Sequence, residues 1–468
     1  MAETDPAALT AAEAARAMRE GRLRAVELIE ACLERIAKHD ASLKAWVHLA
    51  PEHARQQARE IDARRAKGET LPPLAGLPVG IKDVFNTKDF PTGMGSPIWK
   101  DFTPGNDARV VHYLKMAGAV LPGKTVTAEF AVHTPGPTVN PHHLDHSPGT
   151  SSSGSAAAVA ARMVPLALGT QTAGSVIRPA SYCGVHGFKP SFGLVPRTGV
   201  LKTADTLDHV GWYGRSADDL ALMFDVCRVR GRDYPISDAA LKDPARQTRG
   251  AGPWRVGVVR GPKWSHAEKY AQDALLAFAH EASRKLGSAA AIEEVELPEG
   301  FERAHETHTV LYDRCLAYYF KDEFRRPALV SPTMQDIVER GNSIALADYK
   351  RALEGQAQLA AKLDQHLTRY HVLLGLSTGG EAPVGRESPD RPDNCLVWTL
   401  CGAAAASLPV FRGPNGLPFG LQVVARKYSD YLLLDFCREL ERAGLSGEAP
   451  VPEFRQGAGA AAARAGSA

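Results

Sequence analysis

Between Pro135 and Gly199 the chain carries its highest density of Gly, Ser, Thr and Pro. Short apolar runs are set around and within that stretch: "LPVGI" from Leu77, "AVLPG" from Ala119, "PLAL" from Pro165 and "GVHGF" from Gly184. Backbone this rich in turn-formers cannot run as long helices. It folds as short strands and short helices joined by tight loops, and Gly lets such loops approach a ligand closely. The pattern from about Leu74 onward predicts an α/β sheet whose loops carry function.

The flanking regions read differently. Thr10 with Glu13 makes a capping box that opens a helix, and Leu23, Val26, Ile29, Leu33 and Ile36 keep helical spacing through a second. The segment 52–67 is helical but highly charged, which places it on the surface. Beyond residue 214 the chain begins helically ("SADDLALMFDVC") and ends in a polar stretch to 253. A strand ("WRVGVV") and long helical segments near 266–286, 302–327 and 346–368 follow. "HVLLGL" reads as strand, "LVWTLCGAAAA" as helix, "SLPVF" and "FGLQVVA" as strands, and "SDYLLLDFCRELERAG" as a closing helix capped by Ser429. The expected organisation is one unit over 1–455: a helical segment at 1–67, a core at 74–215, and the rest of the sheet and its helices at 254–445. The low-complexity end, 456–468, is expected to be disordered.

Charge excludes some partners. Fifty-five Lys and Arg face 53 Asp and Glu, for a net charge of +2, so no nucleic-acid or anionic-membrane partner is expected. No run approaches the ~18 apolar residues of a spanning helix, and the N-terminus lacks the apolar core of a secretory signal. The seven Cys form no Cys-x-x-Cys pair and read as buried, reduced thiols. A cytoplasmic location follows from these readings.

Two local patterns fail their own structural requirements. "GAVLPGKT" (118–125) satisfies the phosphate-loop spacing. However, a helix precedes it, an apolar strand lies inside it, and Pro122 removes one N–H from the cradle. His133, His142, His143 and His146 crowd one loop, but at no spacing that puts two ligands on one helical face. Neither a metal nor a cofactor is expected.

The chemistry gathers elsewhere. "GTSSSGS" (149–155) and "GTQTAGS" (169–175) are two Gly/Ser loops, and the second leads from a strand into a short helix, "SVIRPASYCG". Ser175 at that junction has its hydroxyl at a helix N-terminus, where unpaired N–H groups can face an anion. The residues leave two readings open: a cap in a structural loop, or a nucleophile beside an oxyanion hole. No G-x-S-x-G elbow frames Ser175. Lys82, after the run "LPVGI", is a candidate base if burial lowers its pKa, provided Asp83 points to the opposite face. Taken alone, Lys82 would read as a surface lysine.

Taken together, "GLPVGIKDVF" (76–85), "AGAVLPGKTVTAEFA" (117–131), "SPGTSSSGSAAAVAA" (147–161), "PLALGTQTAGSVIRPASYCGVHGFKPSFGLVPRTGV" (165–200) and "GLPFGLQVVARKYSDYLLL" (416–434) resemble the amidase signature family. The resemblance implies a large mixed β-sheet flanked by α-helices on both faces. It implies Ser175 as nucleophile, Ser151, after a cis peptide bond, as relay, and Lys82 as general base. Backbone N–H groups of Thr172, Ala173, Gly174 and Ser175 would form the oxyanion hole. Thr150 and Ser153 stand where the family's Ser-rich loop commonly has Gly, and Gln171 and Ala173 where the second loop commonly has Asp and Gly. Ala173 is tolerable if its φ is negative. The implied reaction is hydrolysis of a small-molecule carboxamide by a free-standing enzyme; a homodimer is the partner arrangement left open. The alternatives are an amidase-like component of a glutamine-dependent amidotransferase, or a non-catalytic protein keeping the fold. Specificity would come from 302–345 and 377–398, where Tyr312, Tyr318, Tyr319, Arg386 and Trp398 are candidates, each reading first as structural.

Overall fold

A computed structural model describes residues 5–387, 390 and 392–456. The disorder expected at the C-terminal end falls, from residue 457 on, outside them. Eleven strands form one sheet: β1 (Trp46–Leu49), β2 (Val79–Lys82), β3 (Gly123–Thr125), β4 (Leu166–Gln171), β5 (His186–Lys189), β6 (His209–Gly214), β7 (Trp254–Val258), β8 (Ala290–Glu294), β9 (Val372–Leu376), β10 (Ala404–Arg412) and β11 (Pro418–Ala425). Their spatial order is β1-β3-β2-β4-β6-β5-β10-β11-β9-β7-β8. The sheet is mixed: β2 runs parallel to β3 and β4, while β4–β6, β5–β10 and β10–β11 are antiparallel.

Both faces are covered, because strand side chains alternate in direction. In β10 and β11, Ala404, Ala406, Leu421 and Val423 join one apolar cluster, and Ala405 and Val424 join the other. The first cluster packs the N-terminal helices Ala11–Arg19 and Ala25–Leu43 and the closing helix Asp430–Arg442. The second packs Ala304–Tyr319, Pro332–Ser343 and Leu346–His366.

The Thr10–Glu13 capping box forms as read. The charged helix forms at Pro51–Ala66 and buries only Ala54, Ala58 and Ile61. Other local readings are corrected. The "CGAAAA" end expected to be helical splits: the helix is only Cys395–Leu400, and Ala404–Ala406 belong to β10. Pairing with β5 and β11 overrides the helix propensity of Ala there. In the phosphate-loop lookalike the strand is Gly123–Thr125 rather than "AVL". The helix expected at 302–327 ends at Tyr319. Pro235–Lys242 and Pro244–Gln247 are short helices within the stretch read only as polar. Ser429 precedes the closing helix but makes no side-chain cap. All seven cysteines are free and buried. Among the described residues no helix is long and apolar enough to cross a membrane.

Candidate active site

Lys82 closes β2, and Thr170 lies on the neighbouring parallel strand β4. The Ser-rich loop enters the helix Ser153–Ala160. Gly149 in that loop adopts φ +84°, and a Cβ there would lie 2.9 Å from Pro179 Cα. Only Gly therefore allows the loop to sit against the helix Ile177–Cys183, which follows Ser175. The Thr150–Ser151 peptide bond is cis.

This packing brings three hydroxyls around one amine. Lys82 Nζ lies 2.8 Å from Ser151 Oγ, 2.9 Å from Ser152 Oγ and 2.8 Å from Thr170 Oγ1. Ser152 Oγ in turn donates to Thr170 O at 3.2 Å. Lys82 is fully buried. Burial holds its pKa well below the ordinary lysine value, with the field of Asp208 a smaller opposing effect. That carboxylate is itself engaged by Thr172 Oγ1 at 2.8 Å and by the N–H groups of Thr203 and Ala204.

Asp83 does not reach Lys82. It faces Lys124, with Nζ to Oδ1 at 3.0 Å, as the opposite-face argument requires. Lys124 Nζ also donates to Phe85 O, Pro91 O and Thr92 Oγ1. The lysine of the phosphate-loop lookalike is thus a buried structural cation. Burial pushes the Asp83 carboxyl up and Lys124 down, each partly offset by the other. Replacing Lys124 with Met is expected to cost about 3–5 kcal/mol, because it strands a buried carboxylate. Urea denaturation at pH 7 measures it, and a loss below about 1 kcal/mol would show the pair to be dispensable. A third buried lysine, Lys189, donates to Ala403 O and lies in the field of Asp430. Of the three, Lys82 is the one whose hydrogen-bond partners are all neutral hydroxyls.

Ser175 is half-buried just before the helix Ile177–Cys183. Its carbonyl accepts from Tyr213 Oη at 3.1 Å. It does not cap the helix. Gln171 does, its Oε1 accepting from Val176 N at 2.8 Å and Ile177 N at 2.9 Å. Ala173 is not among the residues with positive φ, so Ala is sterically acceptable there. At Gly174 a Cβ would lie 2.6 Å from Arg178 Nη2. Arg178 is anchored by Asp390 and Asp393, each at 2.7 Å. Among the described residues, the N–H groups of Ala173, Gly174 and Ser175 have no hydrogen-bond acceptor.

A cavity of about 240 Å³ opens beside these loops, lined in part by Thr170, Thr172, Arg197, Lys202, Asp208 and His209. Residues 201–210 lie outside the segments that carry the resemblance; the contacts of Thr203 and Asp208 with Thr172 bring them to the site. His308 and Tyr312 approach from the helix Ala304–Tyr319. His308 Nε2 lies 2.8 Å from Thr172 O, and the His308 and Tyr312 rings stack at 5.5 Å. Of the other specificity candidates, Trp398 is buried and donates to Gln422 at 2.9 Å. Tyr319 donates to Asp205, and Arg386 pairs with Glu387 on the surface. The histidine-rich loop is not one cluster: His142 contacts Cys183 O at 2.9 Å, and His143 stacks edge-on with His146 at 4.4 Å.

The mixed sheet thus presents two Gly/Ser loops around a buried lysine whose hydrogen-bond partners are hydroxyls. The family model described as Amidase matches residues 27–434, and the chain belongs to the amidase family. It is 32% identical to the A subunit of glutamyl-tRNA(Gln) amidotransferase from Symbiobacterium thermophilum, over 91% of this chain and 95% of that protein. Among solved structures it resembles a protein from a vestigial complex described as revealing the evolutionary origins of an s-triazine catabolic enzyme. That likeness has a TM-score of 0.83 and 31% identity, over 94% of this chain and 99% of the other. It also resembles the native peptide amidase of Stenotrophomonas maltophilia, with a TM-score of 0.78 and 28% identity, over 96% and 99% of the two chains.

Proposed function

We propose that this chain hydrolyses a carboxamide through an acyl-enzyme on Ser175, with Ser151 as proton relay and Lys82 as general base. The observation that carries the reading is Lys82 Nζ, buried and 2.8 Å from Ser151 Oγ with only hydroxyls for partners. A neutral amine has two N–H donors and one lone pair. Ser152 spends its proton on Thr170 O, so it accepts from Nζ. With Thr170 Oγ1 taking the second N–H, the lone pair is left for the Ser151 proton, and a hydroxyl can donate and accept at once.

In this scheme Ser175 Oγ bonds to the amide carbon while its proton passes through Ser151 to Lys82. The carbonyl oxygen becomes an oxyanion held by the N–H groups of Thr172, Ala173, Gly174 and Ser175. The C–N bond then breaks as the relay returns the proton to the leaving nitrogen, and water cleaves the ester. No cofactor enters the scheme, and a cytoplasmic setting suits the seven free thiols.

The particular amide is a second question. The sequence resemblance puts a free-standing amidase first. The near full-length similarity to the A subunits of glutamyl-tRNA(Gln) amidotransferases supports the alternative better: a component that releases ammonia from glutamine for a partner protein. One experiment separates the readings. The purified chain is offered glutamine, acetamide, benzamide and a peptide amide, and released ammonia is measured. In parallel, a fluorophosphonate probe is used to label the nucleophile. Ser175 labelling without turnover of the simple amides supports the amidotransferase reading. Turnover of acetamide or benzamide by the chain alone overturns it, and absence of labelling overturns Ser175 as nucleophile.

A further inference from the structure

Gln171 and Ala173 are the two departures from the usual Asp and Gly of this loop, and one side chain links them. Gln171 is fully buried at the end of β4. The N–H groups of Val176 and Ile177 can only donate, so the atom 2.8 and 2.9 Å from them is the amide oxygen. The Gln171 amide nitrogen therefore points the other way and donates to Thr399 Oγ1 at 2.9 Å. Thr399 sits on the helix Cys395–Leu400 and is fully buried. Its hydroxyl has one proton. Because Gln171 supplies a donor, that proton goes to a carbonyl, and Ala173 O at 2.7 Å is nearer than Cys395 O, one turn back on the same helix, at 3.2 Å.

We infer that Gln171 and Thr399 together are positioning residues that set the oxyanion loop, with Gln171 Oε1 fixing its helix end and Thr399 fixing Ala173. This rests on the assignment of Ser175 as nucleophile. The Ala173 carbonyl belongs to the same peptide unit as the Gly174 N–H, so a bond to that oxygen sets the direction of that N–H. An amide performs both tasks where an ionised carboxylate cannot, since the latter has no proton to donate. A carboxylate at 171 would still accept from Val176 and Ile177, but it would also accept from Thr399. The Thr399 proton would then turn toward position 171, and Ala173 O would lose its partner.

The test uses the full chain and four variants: Gln171→Glu, Gln171→Ala, Thr399→Val and Thr399→Ser. The readout is the second-order rate of fluorophosphonate labelling at pH 8. In that reaction the Ser175 Oγ–P bond forms, the P–F bond breaks, fluoride leaves, the proton passes to the relay, and the phosphoryl oxygen occupies the hole. Losing one oriented donor typically slows such a step by about 10²–10³. Gln171→Glu and Thr399→Val are expected to label at least about tenfold more slowly than wild type, and Gln171→Ala more slowly still. Thr399→Ser keeps the hydroxyl and is expected to stay within about threefold. Melting temperatures monitor folding, and Gln171→Glu, nearly isosteric, is the decisive variant should Thr399→Val unfold. Equal rates in wild type, Gln171→Glu and Thr399→Val overturn the inference alone. A slow Thr399→Ser also overturns it, since the methyl rather than the hydroxyl would then matter. A wild type that never labels overturns both the inference and the Ser175 assignment beneath it.

Discussion

Replacing Ser175 with Ala is expected to lower kcat on any accepted amide by at least about 10⁴-fold, leaving the protein folded. Removing a nucleophile costs more than removing any binding contact, because the relay and the hole have nothing left to act on. The fold has little stake in the hydroxyl. Ser175 is half-buried, the contact it makes to Tyr213 is through its carbonyl, and the helix after it is capped by Gln171. The melting temperature of the variant should therefore stay within a few degrees of wild type. Ammonia release at saturating substrate, with the Ser175→Ala protein checked by circular dichroism, measures both quantities. A variant that keeps a tenth of the wild-type rate would remove Ser175 from the mechanism, and a collapse in stability would show that its hydroxyl holds the loop together.

Lys82→Met is the second large effect. General-base catalysis is worth about 10²–10⁴-fold, and a loss in that range is expected. The more diagnostic change is in pH dependence. Burial holds the Lys82 pKa well below its ordinary value of 10.5. The base works only when neutral, so the wild-type rate should fall as pH drops through that depressed value, and the residual rate of the variant should lack this limb. Stability carries the same signature. Between the depressed folded pKa and 10.5, the unfolded chain binds a proton that the native protein does not, so native stability rises with pH across that window. The rise is at most about 1.4 kcal/mol per pH unit for one group. Denaturation of wild type and variant at pH 7 and pH 9 checks it. The wild type should gain stability relative to Lys82→Met on going to pH 9, and an unchanged difference would mean that Lys82 is not neutral in the native state.

Much of this site was legible from local chemistry. The two Gly/Ser loops, the strand leading to Lys82 and the short helix after Ser175 each follow from residues close in the chain. The direction of Asp83 followed from strand alternation, and the structure pairs it with Lys124. The rejection of "GAVLPGKT" as a phosphate loop agrees with a lysine buried among four oxygen partners, although the strand there is Gly123–Thr125 rather than the apolar triplet before it. The helix capped by Gln171 was not legible. A long polar residue before a Thr-Ala-Gly-Ser turn carries no local sign that its amide will reach the N–H groups of Val176 and Ile177.

The limits of the local reading have one physical source. Periodicity and turn chemistry act over a few residues, and they determined the helical N-terminal segment and the sheet-and-loop character of the middle; Lys82, Ser151 and Ser175 stood together as candidates only through the resemblance of their motifs to the amidase signature family. Propensity misassigned Ala404–Ala406 because pairing between strands distant in sequence outweighs what Ala prefers alone. The role of Lys82 belongs to the same class of problem. A lysine in isolation is a charged surface group, and only the packing of β2, β4 and the Ser-rich loop removes its water and surrounds it with three hydroxyls. The coupling of Gln171 to Ala173 through Thr399 joins segments 228 and 226 residues apart in the chain. The sequence by itself determined which residues could do chemistry; the tertiary structure decided which of them lost their solvent and met, because desolvation and hydrogen-bond partnership are properties of neighbours in space.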